Sequence, residues 1–509
     1  MADVTLGFEN QLWDMADKMR GRMGVKDTEY GNVVLGLIFL KYISDSFEER
    51  YNELLEEGDG FEEDRDAYAE QNVFFVPPSA RWDFIKKSAK LPTIGQIIDD
   101  AMIAIERENK TLKGVLPKTY ARQELNKQVL GELVDLFSFN IGSKEAKAQD
   151  ILGRVYEYFL GNFGSTEGEY YTPPSIVQLL VGMIEPYEGR VYDPCCGSGG
   201  MFVQSAKFVK AHEGKVDNIH IYGQESIAET WRLCKMNLAI RGIDGNLGQE
   251  NADTFGNDQH KGLKADYILA NPPFNIKDWG ASKLTDDVRW KYGMPSEGNA
   301  NYAWIEHIIS KMSPRGIAGF VLSNASMSTT QKQEAEIRKN IIEDGKLVDC
   351  IVALPPNLFY NVTISVCLWF LSRKRDNRKD KILFIDARNM GKMETRRHRI
   401  LEKEEIQKIC ITYHEWRDGK EEYQDEQGFC KVASLEDVRS TGDYILTPGR
   451  YVGIEEQEDD GEIFEEKMSR LTEELVKLFE SSHVLEKKIL NNINYLGFGL
   501  GDMNGTNEI

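Results

Sequence analysis

Apolar residues at the amino terminus recur every three or four positions. Phe8, Leu12, Met15 and Met19 form one helical stripe, and an apolar run at 33–42, followed by Phe47, Leu54 and Leu55, carries the face onward. An acidic loop at 56–66 and the pair Pro77-Pro78 interrupt it, after which 94–105 and 125–137 again show helical spacing. The pattern predicts an α-helical domain over residues 1–147. From 148 the period changes: short β-rich segments at 189–192, 219–222, 265–270, 317–322, 347–354, 364–371 and 382–385 alternate with helical stretches. Such alternation predicts an α/β domain to residue 390, a mostly parallel sheet covered by helices on both faces. The segments 348–354 and 363–371 are joined only by PPNLFYNV, too short for a crossover helix, so this late pairing is expected to be antiparallel. Residues 391–460 read as a polar extension ending in the acidic EEQEDDGE at 455–462. Beyond it Phe464, Met468, Leu471, Leu475, Leu478, Leu485 and Ile489 alternate four- and three-residue spacing, with Ser482 at one seam position. That predicts a helix over 461–496 that packs on another helix, either of this chain or of another subunit. The Gly- and Asn-rich end, 497–509, is expected to be disordered.

Charge narrows the picture. The chain of 509 residues has room for about three domains at roughly 150 residues each. Its 62 Lys and Arg against 83 Asp and Glu leave a net charge of −21, which repels a polyanion wherever charge is not segregated. Nucleic-acid binding unaided is therefore disfavoured. The longest apolar run, 33–40, is much shorter than the roughly 18 residues a bilayer-spanning helix needs, and no basic segment leads an apolar one at the amino terminus. Seven Cys without a CxxC pair give neither a disulfide framework nor a zinc ribbon. These readings place the chain in the cytoplasm, away from membranes and with no metal site.

Three segments carry chemistry. VYDPCCGSGG (191–200) is a short apolar strand ending in Asp193, followed by glycines that permit a tight turn and close backbone approach to a nucleoside. The spacing is not G-x-G-x-x-G and no Lys-Ser or Lys-Thr follows, so dinucleotide and P-loop readings lose ground. Cys195 and Cys196 are adjacent, so their side chains diverge, and they read as turn-packing residues rather than metal ligands. The next strand ends in Glu225 (IYGQE), where an acid at a strand's carboxyl end accepts from ribose hydroxyls. Last, ADYILANPPF (265–274) runs an apolar strand into Asn271, Pro272, Pro273 and Phe274. The two prolines stiffen the backbone and remove two N–H donors, which leaves a loop of acceptors. The Asn271 oxygen and the Pro272 carbonyl can both accept from one exocyclic amine, while Phe274 offers a face to an extruded base.

DPCCGSGG, YGQE and NPPF, in that order, resemble the S-adenosylmethionine (AdoMet) and catalytic motifs of amino-group DNA methyltransferases of the γ order. The helical preamble, GEYYTPPSIV (168–177) and TPGRYVG (447–453) resemble more narrowly the modification subunit of type I restriction–modification systems, and the resemblance spans nearly the whole chain. It implies an AdoMet-dependent methyltransferase Rossmann-like sheet and N6-adenine methylation of DNA. It also implies that Tyr170, Tyr171, Thr172 and Pro173 lie against the cofactor's methionine part. Asp193, Gly197, Ser198, Gly199 and Gly200 match the first cofactor loop, Glu225 the ribose acid and Asp253 the acid facing the cofactor adenine. Asn271, Pro272, Pro273 and Phe274 match the catalytic tetrad. Met201 stands where the family often has Phe, a space that a flexible apolar side chain can fill. The net charge and the short insert at 275–299 point to a separate specificity subunit that reads sequence. The resemblance implies two modification subunits to each specificity subunit, a restriction subunit in the full complex, and double-stranded DNA met mainly through that complex. Two other classes share or approach this chemistry: methyltransferases acting on a protein glutamine or an RNA base, and a scaffold without catalysis.

Overall fold

Continuous runs of β-branched and aromatic residues build the centre of the sheet. The computed structural model describes residues 6–138, 155–156, 158–159, 172–359, 365–454 and 464–495, apart from positions 213, 376 and 397. The acidic stretch at 455–462, the end at 497–509 and the start of the segment expected at 364 lie outside the described residues.

The chain opens with helices α1 (Leu6–Arg20), α2 (Asp27–Glu57), α3 (Ile94–Glu108) and α4 (Lys127–Leu136). Asn126 caps α4, its side chain accepting from the backbone of Gln128 and Val129. These helices close around their own core, which contains Val33, Leu37, Ile38, Ile98, Met102 and Leu130. The stripe on α1 differs from the expected one: Leu12 and Ala16 are buried, whereas Met15 is 48% exposed. A true 3.6-residue period carries the face through Ala16, a small residue that a count of large apolar side chains passes over.

After α5 (Pro174–Ile184) the α/β region begins with β1 (Gly189–Asp193), α6 (Gly200–Ala211), β2 (Ile219–Gly223), α7 (Ala228–Ile240) and β3 (Gly245–Asn246). It continues with β4 (Ala265–Ala270), α8 (Asn301–Lys311), β5 (Met312–Ser323), α9 (Lys332–Glu343) and β6 (Val348–Ala353). Next come β7 (Val366–Ser372), β8 (Lys381–Asp386), the short β9 (Lys392–Met393) and β10 (Arg399–Ile400), α10 (Lys403–Arg417) and β11 (Cys430–Ser434). Nine strands form one sheet in the order β11-β8-β6-β7-β5-β4-β1-β2-β3. β7 lies antiparallel between β5 and β6, as the short 355–362 connection requires. A second antiparallel strand, β11, closes the edge beside β8, so the stretch beyond residue 390 contributes to the sheet.

Every residue of β6 and β7 is buried, because helices cover both faces. Leu180 of α5, Phe202 of α6, Leu238 of α7 and Tyr413 of α10 pack on one side. Ile305 and Ile308 of α8 and Ile337 and Ile341 of α9 pack on the other. Each such side chain removed from water contributes about 1.5–3 kcal/mol. The helical preamble joins this layer directly, since Met236 and Ile240 of α7 belong to its core and the Tyr42 hydroxyl donates to the Ile240 carbonyl at 2.5 Å.

Residues 455–509 form a separate compact unit, whose described residues make up the helix α11 (Phe464–Tyr495). Along it Met468, Leu471, Leu475, Leu478, Phe479, Leu485 and Ile489 are each more than 40% exposed. No described helix is long and apolar enough to cross a membrane.

Candidate active site

Parallel pairing of β1 with β2 and β4 aligns their carboxyl ends, which brings three loops to one edge. Between those loops lies a cavity of about 510 Å³. Its wall contains Thr172, Asp193, Gly197, Ser198, Gly200, Glu225, Asp253, Asn271, Pro272, Pro273 and Phe274. Pro173 and Gly199 are not among the lining residues: Pro173 precedes the first turn of α5, and Gly199 is the residue from which α6 starts. Tyr170 and Tyr171 lie outside the described residues.

The glycine turn needs its glycines for stated reasons. Gly197 and Gly199 have φ of +53° and +85°, which side-chain-bearing residues rarely adopt. A Cβ on Gly199 would also lie 2.9 Å from the Cys234 sulfur. Glu225 holds this turn from the neighbouring strand end, its Oε2 accepting from Gly197 N–H at 3.1 Å and its Oε1 from Ile227 N–H at 2.8 Å. Asp193 accepts from Cys195 N–H at 3.0 Å, and burial pushes its carboxyl up to about 7 despite that bond. Burial beside Asp193 and Glu225 also pushes the Cys195 thiol up, so it stays protonated and is no nucleophile. Asp253 accepts from Gly256 N–H at 2.6 Å. Three acidic side chains thus line one cavity, an environment that suits a cationic ligand.

At the opposite wall, the Asn271 amide N–H donates to the Thr172 hydroxyl at 2.9 Å. This bond turns Oδ1 the other way, where it is buried without a hydrogen-bond partner among the described residues. Pro272 and Pro273 add no donor to the loop. Phe274 meets Phe359 edge-on, with 6.1 Å between ring centroids. Behind the tetrad the backbone is pinned: Asn275 N–H donates to Asn301 Oδ1 at 3.0 Å, and Asn301 Nδ2 donates to Asn275 Oδ1 at 2.9 Å. The result is a stiff corner presenting acceptors.

Sequence reasoning did not find several residues of the wall. Ile227, Phe255, Trp279 and Trp304 also line the cavity. Phe255 packs on Trp304 at 4.4 Å and on Trp279 at 5.0 Å, forming an aromatic wall, and the buried Trp304 Nε1 has no partner among the described residues. Arg289 ties this wall to the Asp253 loop by donating to the carbonyls of Thr254 and Phe255. Three tryptophans between 279 and 304 were the available signal. The Asn271–Thr172 bond left none, since it joins residues 99 positions apart.

Comparison with known proteins agrees with this architecture. The family model described as N-6 DNA Methylase matches residues 147–460, and that of the HsdM N-terminal domain matches residues 8–137. The chain is 47% identical over 449 residues to the type I restriction enzyme HindI methylase subunit of Haemophilus influenzae, covering 83% of this chain and 100% of that relative. It is 41% identical over 524 residues to the MjaIX methylase subunit of Methanocaldococcus jannaschii, covering 97% and 92%. Its fold resembles the type I restriction–modification system methyltransferase subunit from Streptococcus thermophilus, with a TM-score of 0.74 at 23% identity over 88% of this chain and 99% of that one.

Proposed function

We propose, on the premise that the chain belongs to the N-6 DNA methylase family and carries the amino-terminal domain of type I methylase subunits, that it methylates N6 of an adenine turned out of duplex DNA as the modification subunit of a type I restriction–modification complex. The observation that carries this reading is the Oδ1 of Asn271, buried without a partner among the described residues, beside the proline-stiffened carbonyls.

The residues present fit AdoMet. Glu225 and Asp253 offer negative charge to a sulfonium cofactor, the glycine turn lets backbone come close, and the aromatic wall suits an adenine ring. When bound, AdoMet supplies an activated methyl group for direct displacement. What the chain contributes is alignment and the electronic state of the acceptor amine. That amine is a weak nucleophile because its lone pair is delocalised into the ring. Its two N–H bonds donate to Asn271 Oδ1 and the Pro272 carbonyl, and both bonds strengthen as nitrogen becomes pyramidal and positive, so the stabilisation is weighted to the transition state. Thr172 keeps Asn271 facing the right way. Phe274 stacks on the extruded base and offsets part of the few kcal/mol that extrusion costs.

Sequence recognition is assigned to a specificity subunit with two modification subunits bound, and a restriction subunit completes the nuclease-competent assembly. The site of action is the cytoplasm. The test is incubation of duplex DNA with the chain, its specificity subunit and labelled AdoMet. N6-methyladenine should form, the chain alone should yield negligible product, and Asn271→Ala should lower the rate about a hundredfold or more while AdoMet affinity stays within about twofold. Retained turnover in that variant would overturn the reading.

A further inference from the structure

The edge that carries the catalytic corner carries more than the cofactor loops. Register pairs Ala270 with Phe320, Ser323 with Val366, Cys367 with Ala353, and Ala353 with Asp386, so β4, β5, β6 and β8 all end on that edge. The chain leaving β8 folds at once into the β9–β10 hairpin. Residues 388–399 hold five Lys or Arg against one Glu, in a chain whose net charge is −21.

The hairpin is held rigidly. Arg399 N–H donates to the Asn357 carbonyl at 2.8 Å, His398 Nε2 lies 3.1 Å from the Leu358 carbonyl, and Gly391 N–H donates to Glu405 at the start of α10 at 2.6 Å. Asn357 and Leu358 lead into Phe359, the ring that meets Phe274 of the catalytic tetrad. Part of the charge is spent locally. Arg388 pairs with Asp386, Glu394 with His398, and the Arg399 guanidinium donates to the carbonyls of Met390 and Gly391. Lys392 and Arg396 remain exposed, with no ion-pair partner among the described residues. Four strand intervals separate β8 from β4. At about 4.8 Å each that is roughly 19 Å, or five to six base steps of duplex at 3.4 Å.

We propose that the β9–β10 hairpin is a phosphate clamp of the catalytic chain itself, gripping the duplex beside the extruded adenine through Lys392 and Arg396. This rests on the function proposed above. Local positive charge on a rigid arm lets an acidic chain approach DNA at the one edge where it must. The experiment uses the complex of this chain with its specificity subunit and compares the wild type with Lys392→Gln/Arg396→Gln. The variant should raise KM for duplex DNA about three- to tenfold at 0.15 M salt with kcat within about twofold. Its log–log salt dependence of DNA binding should flatten by about 1.8, two phosphates at roughly 0.9 each. Lys392→Arg/Arg396→Lys should restore both. An unchanged KM and salt slope beside an active wild type overturns the clamp, as does a drop in AdoMet affinity or Tm, which marks a structural role. A wild-type complex that leaves adenine unmodified overturns the functional reading and the clamp with it.

Discussion

The two ends of the Asn271 amide differ: the NH₂ donates to Thr172, and the buried oxygen has no hydrogen-bond partner among the described residues, which under the proposed mechanism leaves it for an incoming donor. NPPF made that acceptor an expectation from four contiguous positions. The bond to Thr172 was not legible, because Thr172 reads locally as no more than the approach to a helix. Asp193 shows the same limit. Its place at a strand end was legible, but its protonation depends on burial by residues distant in sequence. With a folded value raised to about 7 from 3.8, its stabilising contribution is full below the unfolded value and is lost as pH rises toward 7. Asp193→Asn removes the buried charge and keeps the acceptor for Cys195. In the cofactor-free protein its advantage in Tm should widen from about pH 4 to about 7 and be constant above about 8. A pH-independent advantage, read by thermal melts across that range, would assign the effect to packing instead.

The β-rich segments announced themselves: β1, β2, β4 and β7 fall where alternation with helices put them, and the antiparallel turn between β6 and β7 followed from loop length alone. Short or polar elements did not. β3 has two residues, and β11 (CKVAS) takes its strand conformation from pairing with β8 rather than from its own pattern. The turn between β1 and α6 is set by conformation as much as composition. Gly199→Ala forces a side chain into φ +85°, at a cost of about 1–2 kcal/mol, and against the Cys234 sulfur. Calorimetry should show AdoMet affinity falling about tenfold or more. Adding Cys234→Ala should recover only part of the loss, since it relieves the contact but not the backbone. Full recovery would mean that the steric contact alone mattered.

At the scale of the molecule, net charge gave the most far-reaching reading, because a chain at −21 that works on DNA requires positive charge from elsewhere or in one place. The seam expected from 464 to 489 is present as the apolar face of α11, with Leu471, Leu475 and Leu478 exposed at 44%, 50% and 60%. Changing all three to Glu should leave Tm and AdoMet binding as they are while abolishing co-purification with the specificity subunit. Undiminished co-purification would move the docking surface to the helical preamble. What composition could not disclose is that this preamble and the catalytic layer share a core at Tyr42, Met236 and Ile240. Cutting the protein down to a minimal enzyme beginning at Thr172 would strip the cover from a helix that starts three residues after Glu225, leaving a greasy seam in water along Met236 and Ile240. The shortest working form therefore has to keep its first helices.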